Sequence, residues 1–208
     1  CIRDRHYDAW VEMSRRLRGT PFDDYEMLHY MFGRTNKMII EYAIGRVPTE
    51  EETLKYSTEK EQIYLDMCEA DKENTKLADG VEEFFDWICE KNIPHTIATM
   101  SEKINVDYYI DVFKLEKWFD IDKIVYSNGK IPGKPAPDIF QIAAKNIGVE
   151  PKYCTVFEDA FSGIKAAQAA GARKIIAVAS KEPVDFYKKI DGVSAVITDF
   201  KNCQSIID

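Results

Sequence analysis

Two adjacent carboxylates, Glu158 and Asp159, follow the short apolar run CTVF and precede an alanine-rich segment that opens with Ser-Gly. The apolar run is typical of a buried strand and the alanine-rich segment of a helix, so the acids lie where a strand ends and a helix begins. Proteins usually hold Mg²⁺ through one or two carboxylates, with waters and a substrate phosphate as further ligands. The pair therefore predicts a magnesium site, although the same acids alone could be turn residues or a helix cap.

Two other strand ends carry groups that suit a phosphate. Thr99, Met100 and Ser101 follow the apolar run HTIA, and Lys134 follows the run KIVYSNGKIPG. Hydroxyls and backbone N–H groups at a helix N-terminus bind phosphate, and a lysine offsets the charge of a phosphate beside carboxylates. Taken singly, the hydroxyls could cap a helix and the lysine could be a solvated loop residue. Because ligands of a parallel sheet bind beyond the carboxyl ends of its strands, the groups together predict phosphoryl transfer.

The elements that must position these groups change in character after residue 76. Residues 1–76 read as helices, the last of them starting with a capping box in TEEETLKY and expected to break near Ser57-Thr58. From residue 77 onward, strands alternate with helices, which predicts βαβ units and a parallel sheet covered on both faces. The predicted fold is α/β, with a doubly wound, Rossmann-like parallel-sheet core over residues 77–208 and an N-terminal all-helical domain over residues 1–76.

Composition limits the classes of partner. The chain has 208 residues, of which 45% are hydrophobic and 31% charged, as in ordinary soluble globular proteins. A net charge of −8 argues against broad binding to nucleic acid or anionic membranes, and no apolar run approaches the length of a membrane span. The five cysteines show no metal-binding spacing and are typical of reduced thiols. We expect a cytoplasmic protein, monomeric by default, whose partner is a small phosphorylated metabolite.

The motifs resemble those of the haloacid dehalogenase (HAD) superfamily, and most closely its branch of β-phosphoglucomutase-like phosphatases and mutases with a helical cap. The segments GKPAPDIF and VFEDAFSGIKAAQAAG are similar to the third and fourth motifs of that branch. The segment IATMS fits the looser second motif, and GRTN at 33–36 is also typical. The resemblance spans nearly the whole chain and implies that residues 1–76 form the cap and that residues 77–208 form the core.

The resemblance also implies a role for each candidate residue. Phosphate would be bound by Thr99, Met100, Ser101 and Lys134, of which Lys134 would also contact the nucleophile, and Mg²⁺ would be held by Glu158 and Asp159, directly or through water. In mutase-like members, a histidine at the cap hinge and a lysine of the cap contribute to proton handling and closure. His6 and Lys60 fall near those positions, with an interfacial histidine and a solvated lysine as the alternatives.

The first motif of the family, a strand that ends in Asp-x-Asp-Gly, is absent from the sequence. In the family, the first Asp is the nucleophile and the second is the acid/base. The sequence starts roughly where the residues just after this motif should lie. We therefore expect an N-terminally shortened piece of a longer protein, inactive by itself, in which the sheet lacks a middle strand and two strands lack a partner.

The predicted function is that of a Mg²⁺-dependent phosphatase acting on a small phosphomonoester, such as a sugar phosphate, through an aspartyl-phosphate. One alternative is a sugar phosphomutase of the β-phosphoglucomutase type, which His6 and Lys60 favour. Another is a catalytically inactive phosphate-binding protein, if the native chain truly starts at Cys1. Metal-independent carbon–halogen hydrolysis is a minor alternative, because adjacent acids repel a carboxylate substrate unless a cation lies between them.

Overall fold

The computed structural model describes residues 2–31, 34–180 and 182–207, without the side chains of residues 2–4, 28 and 29. Gly33 of the GRTN segment thus lies outside the described residues. The chain divides into two compact units, Cys1–Lys76 and Leu77–Asp208. Within the described ranges, no helix has both the length and the apolar character needed to cross a membrane.

The first unit is helical, as its periodicity predicts. Its elements are α1 (Ile2–Arg18), α2 (Asp24–Glu26), a π-helical turn (Met27–Met31), α3 (Asn36–Ile44), α4 (Glu50–Ala70) and a 3₁₀ turn (Lys72–Asn74). Helix α4 begins with the expected capping box, in which Thr49 and Glu52 exchange side-chain-to-backbone hydrogen bonds. Gly45 ends α3 in the left-handed conformation, with φ at 71°, which a glycine adopts without steric cost.

Helix α4 is continuous, so the break expected near Ser57-Thr58 is wrong. Ser57 is buried, and α4 packs against both α1 and α3. Serine and threonine each cost a helix only about 0.5 kcal/mol relative to alanine. The burial of this helix surface outweighs that cost. Helix α4 contributes the buried Tyr64 and Cys68. One apolar cluster of the unit is built from the other helices and connections, namely Trp10, Met13, Phe22, Met27, Met31, Ile39, Ile40 and Ala43.

The second unit alternates helices and strands. Its elements are α5 (Val81–Glu90), β1 (Ala98–Glu102), α6 (Lys103–Phe113), β2 (Val125–Ser127), α7 (Asp138–Asn146), β3 (Thr155–Glu158), α8 (Phe161–Ala170), β4 (Lys174–Val178), α9 (Val184–Lys188), β5 (Ala195–Ile197) and α10 (Gln204–Ile207). Every strand pair is parallel: β1 pairs with β2, and β4 lies between β3 and β5. The α/β fold class with a parallel, Rossmann-like core is therefore confirmed.

Strand β3 shows how the sheet is covered on both faces. Val156 packs with the cluster around Ile164 of α8, whereas the next residue, Phe157, packs with Phe84 of α5. Successive side chains of a strand point to opposite faces, so one helix covers each face of β3. This two-sided burial is the reason that the strands appear in the sequence as continuous apolar runs.

The described strands form two ladders, not one. Among them, β1 pairs with β2 alone and β3 pairs with β4 alone, so each has one edge without a partner strand. The two ladders nevertheless share a covering helix, because Phe140 of α7 packs on the cluster around Val125 of β2 and also on the cluster that contains Val156 of β3. That a further strand belongs between the two ladders stays a prediction.

Candidate active site

Lys134 and Glu158 form a short ion pair, with 2.6 Å between Nζ and Oε2. Lys134 lies in the connection between β2 and α7, and Glu158 is the last residue of β3. Their side chains are 13% and 10% exposed, and Nζ also lies 4.8 Å from the centroid of the Phe140 ring. Because the pair is sheltered from water and rests on an aromatic face, it is held more firmly than a surface ion pair. The structure thus joins two of the predicted site residues directly.

The Glu158 side chain folds back over the start of α8. Its Oε1 accepts hydrogen bonds from the main-chain N–H groups of Asp159, at 3.2 Å, and Ala160, at 3.0 Å, while Oε2 lies on Lys134. Gly163 of α8 provides the space, because a Cβ there would lie 2.5 Å from Cγ of Glu158 and nearer still to the carboxylate. The glycine is therefore required by the position of Glu158 and not by a left-handed backbone.

Asp159 is held by two hydroxyl groups from the segment that follows β4. Ser180 Oγ donates to Oδ2 of Asp159 at 3.1 Å, and the Tyr187 hydroxyl donates to its main-chain oxygen at 3.0 Å. Within the described part of the chain, these bonds leave Oδ1 of Asp159 without a hydrogen-bond donor. Oδ1 is therefore the carboxylate oxygen of the acidic pair that is available to an incoming cation.

Thr99, Met100 and Ser101 lie inside β1 and not after its end, so the strand end predicted for them is wrong. The ladder of β1 with β2 shifts register between the first and last residues of β1, as at a bulge. This irregular pairing extends the strand through all three residues, and α6 begins immediately afterwards at Lys103. The main-chain N–H of Ser101 donates to Oγ1 of Thr99 at 3.1 Å, so the hydroxyl hydrogen of Thr99 remains available to an acceptor.

The groups on β1 and the Lys134–Glu158 pair are related by packing and not by hydrogen bonds. In the described ranges, no hydrogen bond joins the hydroxyls of β1 to Lys134, Glu158 or Asp159. However, Met100 packs on the same apolar cluster as Phe140, whose ring is the one beside Lys134 Nζ. That all these groups bind one metal-bound phosphate stays a prediction.

His6 and Lys60 lie in direct contact in the first unit, with Lys60 Nζ 2.8 Å from Nδ1 of His6. Lys60 also forms an ion pair with Glu61 at 2.9 Å, and the two residues are only 3% and 2% exposed. Lys60 is therefore not the solvated lysine of the alternative interpretation. The His6 ring stacks on Tyr64, with 3.9 Å between ring centroids and 8° between planes.

Burial and the contact with Lys60 together hold His6 neutral. Burial, together with the charge of Lys60, lowers the pKa of His6 to about 3, and Glu61 opposes this shift. In the unfolded chain, a histidine titrates near pH ~6.5. Between about pH 3 and this value, the unfolded chain therefore binds more protons at His6 than the folded chain does. The contribution of His6 to stability is therefore complete above the unfolded pKa and is lost as the pH falls toward the folded pKa. At neutral pH, Nδ1 accepts from the ammonium, which leaves the proton on Nε2.

Replacing Lys60 with methionine should raise the pKa of His6 from about 3 toward the ordinary histidine value of about 6.5, although burial still opposes protonation. The variant removes a nearby positive charge and leaves the buried Glu61 carboxylate, whose Oε2 lies 3.9 Å from Nδ1 of His6, as the partner of the imidazole. An NMR titration of the His6 ring measures this change. Lys55→Met, an exposed position on the same helix, is the matched control. A pKa that stays near 3 in the Lys60 variant contradicts the assignment.

A family model described as haloacid dehalogenase-like hydrolase matches residues 3–171. The chain belongs to the haloacid dehalogenase-like hydrolases. The resemblance that the third and fourth motifs carry is thereby confirmed. The expectation that the protein belongs to a family of enzymes is also confirmed.

Individual relatives agree with this assignment. The phosphorylated carbohydrates phosphatase of Thermotoga maritima is 31% identical over 120 residues, which are 58% of this chain and 51% of the relative. The present chain thus spans about half the length of that curated relative. A solved HAD hydrolase of family IA, variant 3, from Entamoeba histolytica HM-1:IMSS is 41% identical, with a TM-score of 0.85, over 95% of this chain and 87% of that chain. A β-phosphoglucomutase from Clostridium difficile has the same fold at 22% identity, with a TM-score of 0.79 over 99% and 89% of the two chains.

Proposed function

We propose that this HAD-like hydrolase is a Mg²⁺-dependent phosphatase that acts on a small phosphomonoester such as a sugar phosphate. The observation that carries the proposal is the sheltered Lys134–Glu158 ion pair, next to Asp159, at a strand end where a helix begins. A cation and two carboxylates in one place suit a phosphate that arrives together with a metal ion. The phosphatase from Thermotoga maritima, named for phosphorylated carbohydrates, supports the substrate class.

The donor set fits Mg²⁺. Within the described residues, no group of three or more His, Cys, Asp or Glu side chains is arranged to hold a metal ion, but Mg²⁺ is commonly held by one or two carboxylates with waters and substrate phosphate. We propose that Asp159 binds the ion directly through Oδ1 and that Glu158, whose oxygens already face Lys134 and two N–H groups, acts through water. When bound, Mg²⁺ would offset the negative charge of the phosphoryl group and polarise its oxygens.

The side chains on this chain would bind and orient the phosphate. Lys134 Nζ, held in place by Glu158, would donate to a phosphate oxygen and oppose the charge that develops on it. Thr99 accepts a hydrogen bond from Ser101, so its hydroxyl hydrogen remains available and would donate to a second oxygen. Met100 and Ser101 lie just before helix α6, whose N-terminus favours anions, and the Ser101 N–H that donates to Thr99 would help to orient that hydroxyl toward the phosphate.

The proposed covalent step uses an Asp carboxylate of the Asp-x-Asp-Gly motif, which is not among these 208 residues. In that step, the carboxylate oxygen attacks phosphorus, the bond to the substrate oxygen breaks, and the departing alkoxide takes a proton from the second Asp. Water then attacks the aspartyl-phosphate and releases inorganic phosphate. By the resemblance to the HAD superfamily, we propose that residues 77–208 carry this chemistry and that residues 1–76 serve as the cap that selects the substrate. A monomeric state and a cytoplasmic location stay predictions.

A sugar phosphomutase is the second candidate, and the contact between His6 and Lys60 favours it. In a mutase, a hydroxyl of the substrate takes the place of water and accepts the phosphoryl group. The proposed roles of both residues follow the mutase-like members, and a neutral His6 that carries its proton on Nε2 would act as a hydrogen-bond donor.

Product analysis on the complete gene product separates these candidates. We expect Mg²⁺-dependent release of inorganic phosphate from at least one member of a sugar-phosphate panel, abolished by EDTA. Isomerisation of β-glucose 1-phosphate without net phosphate release would assign the mutase. If neither a sugar phosphate nor p-nitrophenyl phosphate is turned over, the enzymatic proposal is wrong and a phosphate-binding role takes its place.

A further inference from the structure

The segment that follows β4 places two hydroxyl donors on a single residue of the acidic pair. Ser180 Oγ reaches the side-chain Oδ2 of Asp159, and the Tyr187 hydroxyl reaches its main-chain oxygen, at 3.1 and 3.0 Å. The donors lie 21 and 28 residues further along the chain, on the connection after β4 and on α9. Two bonds to different atoms of Asp159 restrict both its backbone and its carboxylate.

Tyr187 is a rigid support for this purpose. Its side chain is 1% exposed and packs in the cluster formed with Ile164 and Ala167 of α8 and Ile175 and Ala177 of β4. A buried tyrosine usually directs its hydroxyl to a hydrogen-bond partner, and here that partner is the turn between β3 and α8. The position of the turn is thereby tied to the core of the unit.

Ser180 controls the rotation of the carboxylate. By donating to Oδ2, it fixes the plane of the Asp159 carboxylate and leaves Oδ1 as the oxygen without a donor among the described residues. A metal ligand that is oriented in this way by a neighbouring hydroxyl loses less freedom when the ion binds.

We propose that Ser180 and Tyr187 are positioning residues that hold Asp159 so that Oδ1 faces the divalent cation, an inference that rests on the proposed function. Neither hydroxyl touches the substrate or the metal. The two residues act through Asp159, and their loss weakens metal binding more than it slows the chemical step.

Direct Mn²⁺ binding, measured by electron paramagnetic resonance on the complete gene product without substrate, tests this proposal. Tyr187→Phe and Ser180→Ala should each weaken Mn²⁺ binding by about tenfold, as loss of a residue that orients a metal ligand typically does. The Mg²⁺ concentration for half-maximal activity should rise in parallel, while kcat at saturating Mg²⁺ stays within about twofold of the wild-type value. Ser180→Thr, which keeps the hydroxyl, should bind Mn²⁺ like the wild type.

Tyr153→Phe is the matched control, because it removes a tyrosine hydroxyl from the same unit at a side chain that is 63% exposed, whereas that of Tyr187 is 1% exposed. Unchanged Mn²⁺ affinity in both Tyr187→Phe and Ser180→Ala overturns the inference and leaves the proposed function standing. A melting temperature that falls without a change in affinity overturns it too, because it assigns the two hydroxyls a structural role. If the wild type itself binds no Mn²⁺, the proposed function fails, and the inference fails with it.

Discussion

Replacing Lys134 with alanine should reduce Mg²⁺-dependent phosphate release by about 100- to 1000-fold at saturating Mg²⁺, which is the cost typical of removing one donor to a developing negative charge. The ammonium lies 2.6 Å from Glu158 and is the group in this site that can oppose the charge of a phosphate held beside two carboxylates. Steady-state kinetics on the complete gene product measure the loss. Lys130→Ala, an exposed lysine of the same connection, is the matched control.

A second variant separates catalysis from folding. Lys134→Ala leaves Glu158, which is 10% exposed, without its ion-pair partner, and a buried carboxylate without a partner destabilises the fold. Adding Glu158→Gln removes that charge, so the double variant should regain thermal stability but not activity. Activity of Lys134→Ala close to that of Lys130→Ala would show that this lysine does not serve the phosphate.

Gly163→Ala should reduce activity by about 100-fold, although alanine favours a helix over glycine by about 1 kcal/mol. The new methyl group would occupy the space of the Glu158 carboxylate, since a Cβ at this position lies 2.5 Å from Cγ of Glu158. Glu158 must then move away from Lys134 and from the start of α8, and a displacement of about 1 Å in an active site is enough for a loss of this size.

Thermal unfolding and kinetics, measured side by side, test the Gly163 prediction. Ser162→Ala, at the preceding position of α8, is the matched control and should keep both stability and activity. Full activity in Gly163→Ala would mean that the position of Glu158 against the helix has no part in the reaction.

The sequence predicts the fold well because the relevant signals are local. The parallel strands are covered on both faces, so they appear as apolar runs separated by helical periods. The Thr49–Glu52 capping box needs only a few adjacent residues, and it is present in the structure. The sequence also suggests that Lys134 and Glu158 meet, because both are expected at the carboxyl ends of strands in a parallel sheet, where ligands bind.

The features that the sequence did not predict depend on distant parts of the chain. The bulge that keeps Thr99 inside β1 arises from its register with β2, which no local pattern encodes. Ser180 and Tyr187 reach Asp159 across 21 and 28 residues, and their own surroundings carry no sign of that partner. The Ser-Gly pair that opens α8 did signal a helix start, but only the position of the Glu158 side chain explains why residue 163 is glycine.

The Lys60–Glu61 pair was also missed, and for a different reason. Adjacent residues of a helix do not normally face each other, so an acid at the next position is not expected to serve as the ion-pair partner of a lysine. Here, both side chains are buried, and the Glu61 carboxylate lies 2.9 Å from Lys60 Nζ. Burial brings the two charges together, since neither would be stable inside the unit alone.

The most direct measurement is a crystal structure of the complete gene product with Mg²⁺ and aluminium fluoride, a mimic of the transferring phosphoryl group. We expect Mg²⁺ about 2.1 Å from an Asp159 oxygen. The mimic should lie within hydrogen-bond distance, about 3 Å, of both Lys134 Nζ and Thr99 Oγ1. A mimic bound away from these atoms, or Mg²⁺ held without Asp159, would contradict the account.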